Sequence, residues 1–425
     1  MITQAEYDPN LLKALKGSLV TNDGLEARLS EFLSPFAALL RAKSQRLYFG
    51  AYIRGLLSPL DRKSVEPIAL RMLGEKGVRP MQQLLSRSPL PELQLEGLCR
   101  SALAGIASAP GGMLSCDETS FIKKGGNSAG VKRQSCGSLG KTENCQVGVF
   151  LAYASPGGSF GLADRELYIP ESWFAGDYAQ LRGACGIPED QKFETKNAMA
   201  QRMLCSVLEE GLFGVSWIGC DSVYGSDHSF LDGLRKPEGV WYFAATNSKE
   251  RVFLSRPVEL PNAPVGRGRP RIHPRLSQEP VTAASIADDA SIPWEEAMLE
   301  DGAMGSTRAK IKRLRCVACR ADGPRSYTKA GKDIWLYIRD CTNGDIKYFV
   351  SDAPADITPS ELDKASSLRW SIERCFQDCK GYLGMSHYEC RTLQGWRRHM
   401  LFVAIAHLFI QSLQLSLKKT AFPTL

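Results

Sequence analysis

The chain has 425 residues and 44% of them are hydrophobic, so it is long enough for about two or three domains with sizeable buried cores. Its 53 lysines and arginines exceed its 46 aspartates and glutamates, and the formal charge of +7 fits a polyanionic partner without requiring one. The N-terminal segment MITQAEYDPN has neither a basic nor an apolar stretch, so we expect no signal peptide, and thirteen scattered cysteines indicate reduced thiols rather than a disulfide framework.

Residues 1–110 show helical periodicity that is interrupted by prolines such as Pro59 and Pro80. This pattern predicts an N-terminal domain of short helices. Cations such as Arg41 and Arg46 are scattered through it, and no helix-turn-helix pattern is clear, so a helical scaffold with a solvated basic surface stays open as one interpretation.

Strand patterns begin after residues 109–112, Ala-Pro-Gly-Gly. Segments 113–121, 145–154 and 161–169 alternate or run apolar between glycine-rich turns, which predicts three consecutive antiparallel strands. A helix is predicted next over 196–212, and a fourth strand over 215–220.

Two aspartates stand where strands present side chains to a site. Asp117 lies within the first predicted strand, between apolar positions where an isolated charge is costly. Asp221 directly follows the fourth predicted strand, a usual position for a ligand at a sheet edge. Each signal is weak alone, and Glu118, Asp164 and Glu166 compete for the same role.

A long interval separates Asp221 from the next strong helical pattern, so we expect an insertion there. It begins with a predicted strand over 240–245 and ends with two strands, 333–339 and 345–351, which a Thr-Asn-Gly turn joins as a hairpin. Residues 276–305 are polar with acidic patches and are expected to be mobile.

Within the insertion, the sequence Gly-Arg-Gly-Arg-Pro-Arg at 266–271 is similar to the core of an AT-hook. Glycine and proline keep Arg267, Arg269 and Arg271 extended, which suits a narrow minor groove; a solvated linker is the alternative. Cys316 and Cys319 form a lone CxxC, which we interpret as free thiols rather than a zinc site.

The segment 368–385 is predicted to be one amphipathic helix. Its apolar positions recur at helical spacing: Leu368, Ile372, Cys375, Cys379 and Leu383. Arg369, Glu373 and Lys380 lie on a strip beside them. Thr358 to Glu361 has the form of a capping box with proline at the first helical position, which predicts a helix start there, and Gly381 or Gly384 is predicted to end the helix. Taken alone, the strip also fits an ordinary solvated helix face.

The spacing of Arg369, Glu373 and Lys380 resembles the Tyr-Arg-Glu-Lys signature of a branch of DDE transposases from bacterial insertion sequences, with Ser366 at the place of the tyrosine. The segments KKGGNSAGVKRQ, ADRELYIPESW and HYECRTLQGWRRHM are also similar to one subgroup of these enzymes. The resemblance implies an α/β fold: a ribonuclease H-like mixed sheet with flanking helices, interrupted by a β-rich insertion that covers the active site and preceded by a helical domain.

The implied domains are a helical DNA-binding and pairing domain at 1–110, two parts of a catalytic core at 111–239 and 358–425, and the β-rich insertion with a flexible Arg/Gly/Pro-rich segment at 240–357. The implied function is a DNA transposase that cleaves transposon ends and joins them to target DNA. The implied partners are double-stranded DNA, as terminal inverted repeats and target, and a second copy in a homodimer, without a membrane. A cytoplasmic, nucleoid-associated location in a bacterium follows. A domesticated or inactive transposase that binds DNA is the alternative.

Phosphodiester cleavage needs an activated oxygen and charge relief on the leaving oxygen, which two Mg²⁺ ions supply, with Mn²⁺ as a substitute. We expect Asp117, Asp221 and Glu373 to bind them as catalytic residues. The resemblance assigns phosphate binding to Arg369 and Lys380. Other cations that we expect to contact DNA, with solvated turns as the alternative, are Lys123, Lys124, Lys132 and Arg133 between the first two strands and Arg397 and Arg398 near the last helix.

The most apolar run, 400–417, contains His407, Gln411 and Gln414. We therefore expect it to be a buried helix rather than a membrane span.

Overall fold

The N-terminal part of the chain is helical, as predicted. The computed structural model describes residues 22–261, 275–300, 306–322, 327–341 and 344–421. Its first helices are α1 (Asn22–Ala38), α2 (Lys43–Leu57), α3 (Val65–Leu73), α4 (Val78–Ser86) and α5 (Glu92–Ala107). Tyr52 of α2 is fully buried and contacts His399 near the C-terminus, at 2.8 Å between Oη and Nδ1. The helical part therefore shares one hydrophobic core with the rest of the chain.

A mixed sheet follows, and its first strands contain the three that the sequence predicts. They are β1 (Gly112–Ile122), β2 (Lys132–Cys136), β3 (Lys141–Ala154) and β4 (Phe160–Tyr168), and β3 pairs antiparallel with all three others. Strand β2 is a strand that the sequence does not predict, because KRQSC is polar and lacks apolar alternation. Pairing with the extended start of β3 gives it its conformation.

The fourth predicted strand and the helix before it are also present. After α6 (Ala179–Cys185) come α7 (Lys196–Glu209), β5 (Val215–Cys220), α8 (Ser222–Gly225), α9 (His228–Asp232) and β6 (Trp241–Thr246). Strand β5 lies parallel to β1 on one side and to β6 on the other. The order β4-β3-β1-β5-β6 thus combines antiparallel and parallel pairs in one mixed α/β sheet.

The remaining strands extend this sheet beyond β6. They are β7 (Arg251–Phe253), β10 (Val281–Thr282), β11 (Glu295–Glu300), β12 (Ser306–Asp322), β13 (Tyr327–Asp340) and β14 (Ile346–Ser351), while β8 (Glu259–Leu260) pairs with β9 (Arg275–Leu276). The predicted hairpin is confirmed, since Asp340 pairs with Ile346. Within the segment 276–305, for which the sequence predicts mobility, α10 (Ala283–Asp288) and β11 form. The buried Lys312 ammonium holds α10 by donating to three carbonyls at its end.

The predicted helix over 368–385 is wrong in one respect, because two helices meet at Trp370. Helix α11 (Pro359–Arg369) begins with the predicted capping box of Thr358 and Glu361, and α12 (Ser371–Gly381) ends at the predicted glycine. Leu362 of α11 belongs to a cluster with insertion residues, whereas Ile372 of α12 belongs to the main core. The break lets each helix pack on a different neighbour.

The last helix, α13 (Leu393–Ala421), contains the apolar run that the sequence predicts to be buried. Its segment Leu393–Leu417 is long and apolar enough to cross a membrane, but 61% of the apolar window is buried inside the protein. Phe402 packs edge-on against Phe49 of α2, with ring centroids 5.2 Å apart. These contacts are those of a core helix.

Candidate active site

Asp117 and Asp221 lie next to each other on two parallel strands. Cys116 of β1 is in register with Cys220 of β5, and each aspartate is the next residue along its chain. Neighbouring strands run about 4.8 Å apart, so the two aspartate backbones have roughly that spacing. Two carboxylates at this distance repel one another when both are ionised.

Local structure holds Asp221 in place. Its carboxylate Oδ1 accepts hydrogen bonds from the amides of Val223 and Tyr224, at 3.0 and 3.3 Å, and thereby caps α8. The Asp117 side chain is only 9% exposed and accepts from the Glu118 amide at 2.7 Å. Backbone donors therefore hold both carboxylates, Asp117 within β1 and Asp221 directly after β5.

Glu373 reaches the same place from a helix. It lies in the first turn of α12 and lines a cleft of about 1060 Å³ together with Asp117 and Asp221. Arg369, the last residue of α11, lines this cleft too. The structure therefore brings together residues that are far apart in the chain on one concave surface.

The Arg369 guanidinium lies among these carboxylates. It forms an ion pair with Glu373, and its Nε donates to the Cys220 carbonyl oxygen at 3.3 Å. The Arg369 side chain is 12% exposed. Within the described ranges, no group of three or more His, Cys, Asp or Glu side chains is arranged to hold a metal ion as it stands.

The electrostatics of the cleft favour a cation. The pKa of the Asp117 carboxyl is raised to about 7, first by burial and then by the charge of Asp221, while Arg369 acts in the opposite direction. Burial also raises the pKa of the Asp221 carboxyl, while the hydrogen bond from the Tyr224 amide stabilises the ionised form and acts in the opposite direction. Carboxylate oxygens are the hard donors that Mg²⁺ prefers. The carboxylate oxygens are thus the kind of ligand that suits a divalent ion, and Asp117 and Asp221, which lie side by side, are the pair best placed to share one.

The competing acids have other partners. Glu118 forms an ion pair with Lys196 at 2.7 Å, and Glu166 forms one with Arg202 at 2.5 Å. Asp164 accepts from the Arg165 amide at 2.8 Å, and burial raises the pKa of its carboxyl. None of these three lines the cleft with Asp117.

Lys380 lies beside a second groove. Glu373 also lines this groove, which has a volume of about 540 Å³, together with Lys380 and the turn residues Gly137 and Ser138. The Lys380 ammonium donates to Thr119 Oγ1 at 2.6 Å, and burial lowers its pKa. Glu373 therefore separates two hollows, one with Arg369 and one with Lys380.

The other predicted DNA contacts occupy different environments. Lys124 is exposed, and Lys132 and Arg133 are exposed on β2 rather than on a connecting turn. Lys123 is bound internally, because its ammonium donates to the Tyr388 carbonyl at 3.0 Å, and burial lowers its pKa to about 8.

Near the last helix, Arg397 is half-buried, and the Arg398 side chain is 1% exposed. Arg398 forms an ion pair with Glu92 at 2.7 Å, which leaves its guanidinium inaccessible to DNA in this structure. Arg267, Arg269 and Arg271 lie outside the described residues. Cys316 and Cys319 are buried, and neither forms a disulfide.

The cleft also contains residues that are not predicted from the sequence. Arg339 of β13, Lys347 of β14 and Trp370 between α11 and α12 all line the cleft with the carboxylates. The Lys347 ammonium lies 5.5 Å from the Trp370 ring centroid. Local patterns do not reveal them, because their position depends on how the insertion strands pair with each other.

The cleft contains two aspartates from neighbouring strands of a mixed α/β sheet and a glutamate from a helix. Two aspartates and one glutamate are the acid set after which the DDE endonucleases are named. The family model of DDE superfamily endonucleases matches residues 35–306, more than half of the chain, a range that contains Asp117 and Asp221 and ends before Glu373. The chain belongs to this family.

A curated relative agrees with the resemblance to insertion-sequence transposases. Over 201 residues the chain is 30% identical to the probable transposase for insertion sequence element IS701 of Microchaete diplosiphon, and the match covers 47% of this chain and 48% of that protein. The match thus spans about half the length of this relative. Among solved structures, the cryo-EM structure of a piggyBac transposase synaptic complex with hairpin DNA is 12% identical, with a TM-score of 0.41, covering 96% of this chain and 76% of that one. At this TM-score, the similarity supports no conclusion about this chain.

Proposed function

We propose that this protein is a DNA transposase that cleaves transposon ends and joins them to target DNA. The observation that carries this proposal is the cleft that Asp117, Asp221 and Glu373 line together. Membership of the DDE endonucleases and the likeness to a probable insertion-sequence transposase support it.

The proposed fold of the core is ribonuclease H-like. The support is the strand order β4-β3-β1-β5-β6, with three antiparallel strands, then a helix, then two parallel strands, and a later helix that contains Glu373. Such an order places the middle of β1 beside the carboxyl end of β5, where Asp117 and Asp221 lie next to each other. Residues 1–110 would be the DNA-pairing domain and residues 240–357 the insertion, whose first strand, β6, extends the core sheet parallel to β5.

Asp117, Asp221 and Glu373 would hold two Mg²⁺ ions, or Mn²⁺ in their place. When bound, such ions lower the pKa of an attacking water or 3′ hydroxyl and stabilise the leaving oxygen in an in-line displacement. The amides of Val223 and Tyr224 orient the Asp221 carboxylate for this role. Arg369 neutralises Glu373 without metal. If Glu373 bound the ions, the Arg369 guanidinium would be free to bind a phosphate.

The substrate in this proposal is double-stranded DNA, both the terminal inverted repeats and the target. Lys380 beside the second groove and the exposed Lys124, Lys132 and Arg133 would contact its backbone. Pairing two ends calls for a homodimer, and access to chromosomal DNA calls for a cytoplasmic, nucleoid-associated location.

The test is Mg²⁺-dependent nicking of a supercoiled plasmid that contains the genomic segments flanking the coding sequence. We expect wild-type protein to nick it and Asp221→Asn protein to bind it without nicking. Equal nicking by both proteins would overturn the assignment of Asp221. If both proteins bind the plasmid and neither nicks it, the alternative is favoured: a DNA-binding protein derived from a transposase. Two observations support this alternative: within the described residues no group of three acids is arranged to hold a metal ion, and Glu373 is paired with Arg369.

A further inference from the structure

A buried lysine joins the N-terminal helices to the helix that contains Glu373. Lys63 lies in the connection between α2 and α3 and is 7% exposed. Its ammonium donates to the Leu56 carbonyl oxygen in the last turn of α2, at 2.7 Å, and to the Tyr382 carbonyl oxygen directly after α12. One side chain therefore holds the C-terminal ends of two helices that are far apart in the chain.

Neighbouring contacts keep Lys63 in this place. Its backbone amide donates to His387 Nδ1 at 3.1 Å, and Arg62 forms an exposed ion pair with Glu389. Gly384 has a φ of +65°, and a Cβ at this position would come within 2.6 Å of the Lys63 Cβ. Glycine allows both this backbone conformation and this close approach. The connection between α2 and α3 thus packs tightly on the segment that follows α12.

The charge of Lys63 makes its contact with α12 directional. Burial lowers the pKa of its ammonium, because a buried charge is costly unless polar groups compensate it. The carbonyl groups at the C-terminal end of a helix have negative partial charge and supply this compensation. An apolar side chain could fill the same space, but it could not fix the position of the Tyr382 carbonyl.

The end of α12 carries a cation of the second groove. Lys380 lies two residues before Tyr382, which is about 3 Å along the helix axis. Its ammonium donates to Thr119 Oγ1 of β1, beside the groove that Glu373 also lines. At its other end α12 follows Trp370 and has no side-chain cap. A shift of the Tyr382 carbonyl would therefore move Lys380 relative to β1 and the groove.

We propose that Lys63 is a positioning residue that holds the end of α12 and thereby places Lys380 against the DNA strand in the second groove. This inference rests on the proposed function, since it takes Lys380 to contact the DNA that the carboxylates cut. Lys63 itself touches no DNA. Because misplacement by about 1 Å can slow a reaction by as much as a hundredfold, a shift of the last turn of α12 is enough to slow nicking.

The experiment is a double-mutant cycle between Lys63 and Lys380. Lys63→Met retains the length of the side chain but cannot donate. We expect it to lower the single-turnover nicking rate at saturating protein about tenfold in the wild-type background. In a Lys380→Ala background the same change should lower the rate less than about twofold, because no ammonium is left to position. The midpoint of thermal unfolding should fall by a few degrees in both backgrounds.

A second buried lysine supplies the matched control. Lys312 is 2% exposed, and its ammonium donates to three carbonyl oxygens at the end of α10. Lys312→Met should also lower the unfolding midpoint by a few degrees, but its nicking rate should stay within about twofold of wild type. Lys63→Gln, whose shorter neutral side chain cannot reach both carbonyls, is the milder variant to use if Lys63→Met does not fold, and the same pattern is expected for it.

Two results would overturn the inference. One is a loss of rate from Lys63→Met that is equally large with and without Lys380, and the other is an equal loss in Lys63→Met and Lys312→Met. Either result would make Lys63 a stabilising residue only. If wild-type protein still nicks the plasmid and Asp221→Asn protein does not, the proposed function survives that outcome. If wild-type protein does not nick at all, the proposed function fails and this inference fails with it.

Discussion

The two walls of the cleft are built in different ways. The carboxylate wall, Asp117, Asp221 and Glu373, comes from two core strands and a helix, and backbone amides hold its aspartates. The opposite wall carries Arg339 of β13 and Lys347 of β14, of which Arg339 is half-buried and Lys347 is exposed. The difference indicates that the first wall is built for fixed geometry and the second for charge. Substitutions in the carboxylate wall should abolish DNA cleavage, and substitutions in the opposite wall should weaken DNA binding only partly.

The largest effect is expected for Asp117→Asn. Losing a metal ligand should lower the rate of Mg²⁺-dependent nicking by roughly a thousandfold or more. The control is Glu118→Gln, the next residue on β1, whose carboxylate pairs with Lys196 instead. Its rate should stay within about tenfold of wild type. Equal losses in the two variants, measured on the same plasmid, would mean that the acids of β1 are wrongly assigned.

A buried ion pair joins the insertion to α11, the helix that ends at Arg369, and breaking this pair should lower stability. Arg313 of β12 donates to Asp363 of α11 at 2.5 Å, and Tyr337 Oη donates to the same carboxylate at 2.9 Å. The pair links the insertion to the helix that ends at Arg369. Asp363→Asn should lower the free energy of unfolding by about 3 kcal/mol, measured by urea denaturation.

The exposed pair of Arg256 and Asp333 is the control for this change. Both side chains are more than half exposed, at 55% and 53%, so Asp333→Asn should cost less than about 1 kcal/mol. If the two asparagine variants unfold at the same urea concentration, the link between the insertion and α11 does not contribute as we infer.

The acids of the carboxylate wall should also make metal-free stability depend on pH. Asp117 has a pKa of about 7 in the folded protein against an ordinary value of 3.8, so the folded state binds more protons between these pH values. Its contribution to stability is therefore fully present below about pH 4 and is lost as pH rises through about 7. Thermal unfolding in chelator should show Asp117→Asn melting a few degrees above wild type at pH 8. A variant that is no more stable than wild type at pH 8 would contradict the raised pKa.

The smallest effects are expected for substitutions of two adjacent lysines, Lys123 and Lys124, which should change different properties. Lys123 is bound to Tyr388, with its ammonium 3.4 Å from the ring centroid, whereas Lys124 is exposed. Lys124→Ala should reduce DNA affinity about threefold and lower the salt slope without changing stability. Lys123→Ala should instead lower stability by about 1 kcal/mol and leave the slope unchanged. The reverse result would show that Lys123 leaves Tyr388 to contact DNA.

The carboxylate wall could be predicted from the sequence, and the wall that contains Arg339 and Lys347 could not. Asp221 follows an apolar strand and Glu373 lies on a periodic helix, so both have local signals. Arg339 and Lys347 become neighbours only through the register of a hairpin whose position against β12 and β6 is set by long-range packing. Similarly, β2 depends on pairing with β3, and the break at Trp370 depends on two different packing partners, which no local periodicity encodes.

The central claim is that the three carboxylates share divalent ions, and the most direct measurement is anomalous diffraction from crystals grown with Mn²⁺ and a duplex from the flanking segment. We predict manganese between Asp117 and Asp221, with Glu373 released from Arg369 and bound to the same site. A cleft without manganese, in which Glu373 still pairs with Arg369 while DNA is bound, would contradict the account.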